Sequence, residues 1–173
     1  MQIGIVSDTH DDLDAVAAAV ALFDREGVGT VVHCGDFVAP FSVAPFDSGG
    51  ADAPDFYAVR GNNDGEWGVQ STVESFGTYF GEAGALAIGG AEIAVTHGTS
   101  RIVVDALVDC GDYDYVFHGH THAHGIEERN GTVRVNPGGL PIPVDGADDI
   151  FRVAILDTSE SGVDAVTHHE LEG

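Results

Sequence analysis

Five short apolar runs in this chain each end in a cluster of carboxylate, amide or imidazole side chains. "QIGIV" runs into "SDTH", "TVVHC" into "GD", "DFYAV" into "RGNND", "AEIAV" into "THG" and "YDYVF" into "HGHTH". Short apolar runs bounded by glycine and polar residues read as buried strands. In an α/β sheet, ligands gather at the carboxyl ends of such strands. Separate exposed histidines and acids have no reason to share that location, so the clusters are read together as one site.

The stretches between these runs supply the rest of the fold. "DDLDAVAAAVALFDREG" places Leu13, Val16, Val20 and Phe23 on one helical face, with an acidic start and a glycine stop. "VQSTVESF" holds a helical turn or two, and "SRIVVDALVDCG" reads as a helix with Ile102, Val103, Ala106, Leu107 and Cys110 available for burial. "ALAIGGAEIAVTHG" and "GIEERNGTVRVNPGG" read as hairpins turning at Gly89-Gly90 and Asn130-Gly131, and "FRVAILDT" and "GVDAVTHHE" as closing strands. βα units first and hairpins later predict an α/β chain with a mixed sheet system covered by helices.

At 173 residues the chain is expected to form one domain, 1–173, long enough to bury roughly 70% of its extended surface. Neither a leader pattern nor ~18 consecutive apolar residues is found, so a cytoplasmic protein is expected. Cys34 and Cys110 lack metal-type or framework spacing and read as small apolar groups. The charge is extreme: 29 acidic residues face 6 basic ones, all arginine, for a formal net charge of -23. Such a surface repels duplex nucleic acid and anionic membrane. Molar salt shrinks the Debye length to ~3 Å and screens this self-repulsion, so a salt-rich, halophilic setting is expected.

The polar clusters point to metal chemistry. Asp8 and His10 stand two apart, as do His120 and His122, so each pair can aim one way from an extended segment. With Asp36, Asn62 and His97 they offer oxygen and imidazole donors that suit Mn, Fe, Ni or Zn, without the thiolates of a structural zinc site. Seven donors exceed the needs of one ion and serve two if a carboxylate bridges. Such a pair retains positive charge for an anionic substrate, which fits two-metal phosphate ester hydrolysis.

In order, Asp8-Thr9-His10, Gly35-Asp36, Gly61-Asn62-Asn63-Asp64, His97-Gly98 and Gly119-His120-Thr121-His122 resemble the motif set of the calcineurin-like metallophosphoesterases. Val135-Asn136-Pro137-Gly138 is similar to a segment of their small YfcE/MJ0936-type phosphodiesterase branch. The resemblance spans nearly the whole chain. It implies a four-layer αββα sandwich of two mixed sheets flanked by helices, with a dinuclear centre at one edge. By matching position, Asp8, His10, Asp36 and His122 would hold one ion, and Asp36, Asn62, His97 and His120 the other. A hydroxide shared by the ions would attack phosphorus. Manganese is the first choice of metal, with Ni, Fe, Zn and Mg as alternatives.

The remaining histidines are read differently. His118 is expected on the strand, buried behind the site, His33 within its own strand, His124 on the rim, and His168-His169 facing solvent. Arg60 and Arg101 are read as surface charge balance, and the "NPGG" segment as a turn supporting the site. Two departures from the family pattern stand out. Gly139 replaces a common serine, and Asn63 stands where many relatives carry a histidine that protonates the leaving group or stabilises the transition state, and where the small branch often has a cysteine; an amide cannot serve as a general acid near neutral pH. The expected partner is a small phosphate ester, most simply a diester, with monoesterase or nuclease activity still open. Neither membrane nor nucleic acid is expected as a partner, and self-association is left open. The rival class is a non-catalytic scaffold using the same sandwich as an interaction surface, in the manner of a eukaryotic coat-complex relative.

Overall fold

The computed structural model describes residues 1–51, 53–143, 147 and 149–171. In chain order the strands are β1 (Gln2–Val6), β2 (Thr30–His33), β3 (Asp55–Ala58), β4 (Thr78–Tyr79), β5 (Ala83–Ile88), β6 (Ala91–Thr96), β7 (Tyr115–Phe117), β8 (Gly125–Arg129), β9 (Thr132–Asn136), β10 (Phe151–Asp157) and β11 (Val166–Leu171). The helices are α1 (Leu13–Glu26), α2 (Pro40–Val43), α3 (Glu66–Val73) and α4 (Arg101–Asp109). Among these residues, no helix is long and apolar enough to cross a membrane.

The strands form two mixed sheets, ordered β11-β10-β1-β2-β3-β4 and β5-β6-β7-β9-β8. In the first, β1, β2 and β3 run parallel with Val6 beside His33 and His33 beside Ala58, so their carboxyl ends line up. In the second, β6 and β7 run parallel with Val95 beside Phe117. The exits of all five strands carry the polar clusters.

Alternation along the strands sorts side chains into layers. Ile3, Ile5, Val32 and Cys34 of the first sheet pack with Ile93, Val95, Phe117 and Val135 of the second in one buried cluster. Val6, Val31 and Phe56 face outward into a second cluster with Val16, Ala19 and Phe23 of α1. Ala94 and Val116 meet Val108 of α4 in a third. The result is the helix-sheet-sheet-helix sandwich that the resemblance implies. Each fully buried aliphatic or aromatic side chain contributes about 1.5–3 kcal/mol relative to exposure.

α1 starts where Asp12 accepts a hydrogen bond from Ala15 N at 2.9 Å and stops at Gly27 with φ 71°. Its buried stripe is Ala15, Val16, Ala19, Leu22 and Phe23. Leu13, placed on the buried face by sequence, is exposed because it sits in the first turn, before the helix reaches the sheet. α4 departs further from expectation: it buries Val104 and Val108, while Ile102, Val103, Ala106 and Cys110 are exposed. α2 and β4 carry too little periodicity to be read from sequence.

Candidate metal centre

The five loops converge on one edge of the sandwich. Asp8 N donates to Gly35 O at 2.9 Å and His10 N to Asp36 O at 3.1 Å, which ties the β1 exit to the β2 exit. Asp64 accepts from the backbone N–H groups of Asp36, Val38 and Gly61, binding the β3 exit to that pair. Across the sandwich, His120 N donates to Asp8 Oδ2 at 2.9 Å. Gly119 has to be glycine: a Cβ there would collide with Ser7 Oγ and Asp8 Oδ2.

Asp8, His10, Asp36, His120 and His122 have φ of 54°, 42°, 60°, 68° and 56°. Left-handed backbone at a non-glycine residue costs of order 1–3 kcal/mol and persists only where its surroundings impose it. Here the interlocked loops impose it, and the side chains turn inward.

Two groups result. Asp8, His10 and His122 bring one donor atom each within 4.8 Å of one another, and so do Asp8, Asp36 and His97. Asp8 Oδ1 lies 3.4 Å from His122 Nε2 and 3.9 Å from His10 Nε2. Asp36 Oδ2 lies 3.7 Å from His10 Nε2 and 3.4 Å from His97 Nε2, one imidazole of each group, and Asp8 belongs to both. Asn62 Oδ1 is 3.0 Å from His97 Nε2, and the His120 ring stands edge-on to His97 with centroids 5.1 Å apart. All seven donors named from sequence thus fall at one edge.

The chemistry of this donor set fits divalent ions. His97 Nδ1 donates to Cys34 O at 2.8 Å and His122 Nδ1 to Leu140 O at 2.7 Å, which turns each Nε2 toward the centre. Asp8 Oδ1 is buried without a hydrogen-bond partner, a costly arrangement that a cation relieves. Burial pushes the Asp8 carboxyl above its ordinary pKa despite the nearby His97 and the Ser7 hydroxyl. Burial raises the Asp36 carboxyl too, but hydrogen bonds from His97 and Asn63 outweigh it and hold Asp36 well below the carboxylate range. Burial would lower His97, and its hydrogen bond to Asp36 with the charge of Asp8 more than reverses this. Acceptors packed this closely call for positive charge between them.

A two-sheet sandwich with paired carboxylates and imidazoles at one edge is the architecture of a phosphoesterase. The chain belongs to the calcineurin-like phosphoesterase superfamily: the model of that domain matches residues 1–161. Phosphodiesterase MJ0936 of Methanocaldococcus jannaschii is 35% identical over 166 residues, covering 92% of this chain and 95% of that protein. A solved archaeal phosphodiesterase superposes with a TM-score of 0.82 at 32% identity, covering 99% of this chain and all of that one. YfcE, a phosphoesterase from E. coli, shares the fold with a TM-score of 0.67 at 20% identity, covering 96% and 98% of the two chains.

His118 is buried, with burial pushing its imidazole down to about 4, and His33 is buried within β2. His124 lies exposed, but His168 does not simply face solvent: it bonds Asn136 O at 2.8 Å and packs edge-on against His124. β11 lies beside β10, close enough to the "NPG" turn to half-bury this ring. That turn does support the site, since Asn136 Nδ2 donates to Gly119 O and Thr121 Oγ1. Arg60 pairs with Glu82 and Arg101 with Asp105. Sequence reasoning gave no structural role to Asp11, which accepts from Ala39 N and Ser42 Oγ and fixes the start of α2. Its only signal was its place beside the first cluster.

Proposed function

We propose that this chain is a metal-dependent phosphodiesterase acting on small phosphate esters. Asp8, His10, Asp36 and His122 would hold one divalent ion, and Asp36, Asn62, His97 and His120 a second, manganese being the first candidate. The observation that carries this reading is the position of Asp36 Oδ2, 3.7 Å from His10 Nε2 on one side and 3.4 Å from His97 Nε2 on the other. Bound ions would supply Lewis-acid activation of water and neutralise charge on the phosphoryl oxygens.

The chain's own residues do the positioning. The carbonyls of Cys34 and Leu140 fix two imidazoles, Asp64 ties Asp36, Val38 and Gly61 into one unit, and Asn63 holds Asp36. Asn63 provides hydrogen bonding but no transferable proton. The acidic surface favours a compact anion attracted only at the centre over an extended polyanion. A cytoplasmic, salt-rich setting fits this composition.

Hydrolysis of a panel of diesters, monoesters and oligonucleotides by manganese-loaded protein in high salt tests the proposal. Diesters should turn over fastest, and Asp36→Asn should abolish turnover. A fully loaded protein that hydrolyses none of them would favour the scaffold reading.

A further inference from the structure

Behind the segment that carries His120 and His122, a cavity of about 460 Å³ opens on the outer face of the second sheet. Strand alternation decides what lines it. Phe117 faces into the sandwich and Val116 outward, so His118, two residues on from Val116, shares the outer side. Arg134 lies opposite Val116 on one side and Glu127 on the other, and Asn136 lies opposite Gly125. α4 covers this face at Val116, where Val108 packs, and the cavity opens beyond it over His118, Thr121, Ala123, Gly125, Ile126 and Arg134. A Cβ on Gly125 would meet no atom within 4 Å, so the space above that strand is open.

One wall of this cavity holds an unsatisfied polar atom. His118 is 7% exposed, its Nδ1 bonds Gly119 O at 3.1 Å, and its buried Nε2 has no partner. A carbonyl only accepts, so Nδ1 carries the proton. Burial keeps the ring neutral, the Gly119 bond opposing and the charge of Arg134 assisting, and Nε2 is left as a bare acceptor. Leaving such an acceptor unmatched is costly. The nearby donors are spent elsewhere: Asn136 Nδ2 on Gly119 O and Thr121 Oγ1, and Arg134 Nη2 on Glu127 Oε2 at 2.6 Å. Thr121 Oγ1 accepts from Asn136, and among the described residues no acceptor takes its own proton.

A metal ion does not answer this need, because among the described residues no three His, Cys, Asp or Glu donors that include His118 converge. An unprotonated anion would meet a bare lone pair, with the Glu127 carboxylate in the same cavity. What fits is a neutral molecule with an N–H for His118 beside a carbonyl for the Thr121 hydroxyl or the Arg134 guanidinium, flat enough to lie along Ala123 and Ile126. The cavity is within the roughly 300–1,000 Å³ usual for small-molecule sites.

We propose that this cavity is a binding site, separate from the candidate metal centre, for a small neutral heterocycle with a ring N–H beside a carbonyl, of the uracil or hypoxanthine type, the N–H donating to His118 Nε2. Its walls include none of the seven candidate metal donors, so the site stands whether or not the chain is a phosphodiesterase.

Magnesium-loaded full chain, with its histidine nitrogens labelled for NMR, is titrated with uracil and with hypoxanthine. One of the two should move the His118 Nε2 resonance saturably toward its hydrogen-bonded position. The compound 1,3-dimethyluracil, which keeps both carbonyls but lacks an N–H, should not. His118→Phe should weaken binding about tenfold in calorimetry. If that variant does not fold, Gly125→Leu decides instead: it fills the open space from an exposed strand position, leaves His118 in place and should weaken binding at least as much. Inorganic phosphate at the loaded centre should not displace the heterocycle. A His118 Nε2 resonance that neither ring moves would overturn the proposal, leaving a buried water as the partner. Equal binding of dimethyluracil, binding that survives the substitutions, or displacement by phosphate would overturn it as well.

Discussion

Asn63 grips Asp36 twice, through its backbone N–H to Oδ1 and its side-chain amide to Oδ2, both at 2.8 Å. The residue at the usual acid position therefore braces the central carboxylate. Alkyl diesters should react more slowly than aryl diesters by much of the ~10² to 10⁴ that general acid catalysis supplies. Asn63→His should narrow the gap by raising alkyl turnover. Single-turnover rates on both ester types check this, and similar rates on the two in the wild type would remove Asn63 as the limiting element.

Metal analysis of gently purified protein should approach two divalent ions per chain. Asp36→Ala should lower the occupancy of both positions, because Oδ2 lies 3.7 Å from His10 Nε2 and 3.4 Å from His97 Nε2, one imidazole of each group. His124→Ala, altering an exposed ring outside both groups, should leave occupancy unchanged. A stoichiometry of one that survives Asp36→Ala would refute the bridging role.

Acid should weaken the fold partly through His33. Burial, reinforced by the nearby charges of His97 and His10, holds this imidazole well below 6.5, the neighbouring Asp36 opposing only in part. The unfolded chain binds a proton below about 6.5 that the native chain refuses. His33 therefore leaves stability unaffected above that pH and erodes it as pH falls toward the depressed native value. In chelator-treated protein, His33→Phe should flatten the slope of unfolding free energy between pH 5 and 6 by about 1.4 kcal/mol per pH unit. Urea titrations across that range measure it.

Salt should stabilise the protein well past the concentration that screens ordinary surface pairs, because 29 acidic residues repel one another against only 6 arginines. The urea midpoint should rise from dilute buffer to molar KCl. A flat response would refute the halophilic expectation.

Core positions in α4 should separate sharply from exposed ones. Val108→Ala removes buried methyls facing Ala94 and Val116 and should cost about 2 kcal/mol. Ile102→Ala, at an 81% exposed position, should stay within about 0.5 kcal/mol. Denaturant unfolding of the two variants decides.

That helix also shows what the sequence left unreadable. Ile102, Val103, Val104, Ala106, Leu107 and Val108 form an apolar arc wider than a sheet can cover, opposite Arg101, Asp105 and Asp109, so periodicity cannot say which part of that arc docks. Only the docking of α4 onto β7 selects Val104 and Val108. The donor residues were legible for the opposite reason. Each cluster interrupts an apolar strand at its carboxyl end, and parallel pairing makes neighbours of the β1, β2 and β3 exits in one sheet and of the β6 and β7 exits in the other; only the packing of the two sheets brings the two sets together. The double contact from Asn63 to Asp36 was not legible, since it depends on how the β2 and β3 exits face each other.

The candidate donors are divided between the sheets: Asp8, His10, Asp36 and Asn62 follow strands of one, and His97, His120 and His122 follow strands of the other. Prying the sandwich open at this edge separates Asp36 from His97 and Asp8 from His122, residues far apart in the chain. Ions seated there would rivet the two halves together, much as a cross-link closing a long loop does. The chemically working edge would then also be the mechanically strongest one, the last to part under heat or force.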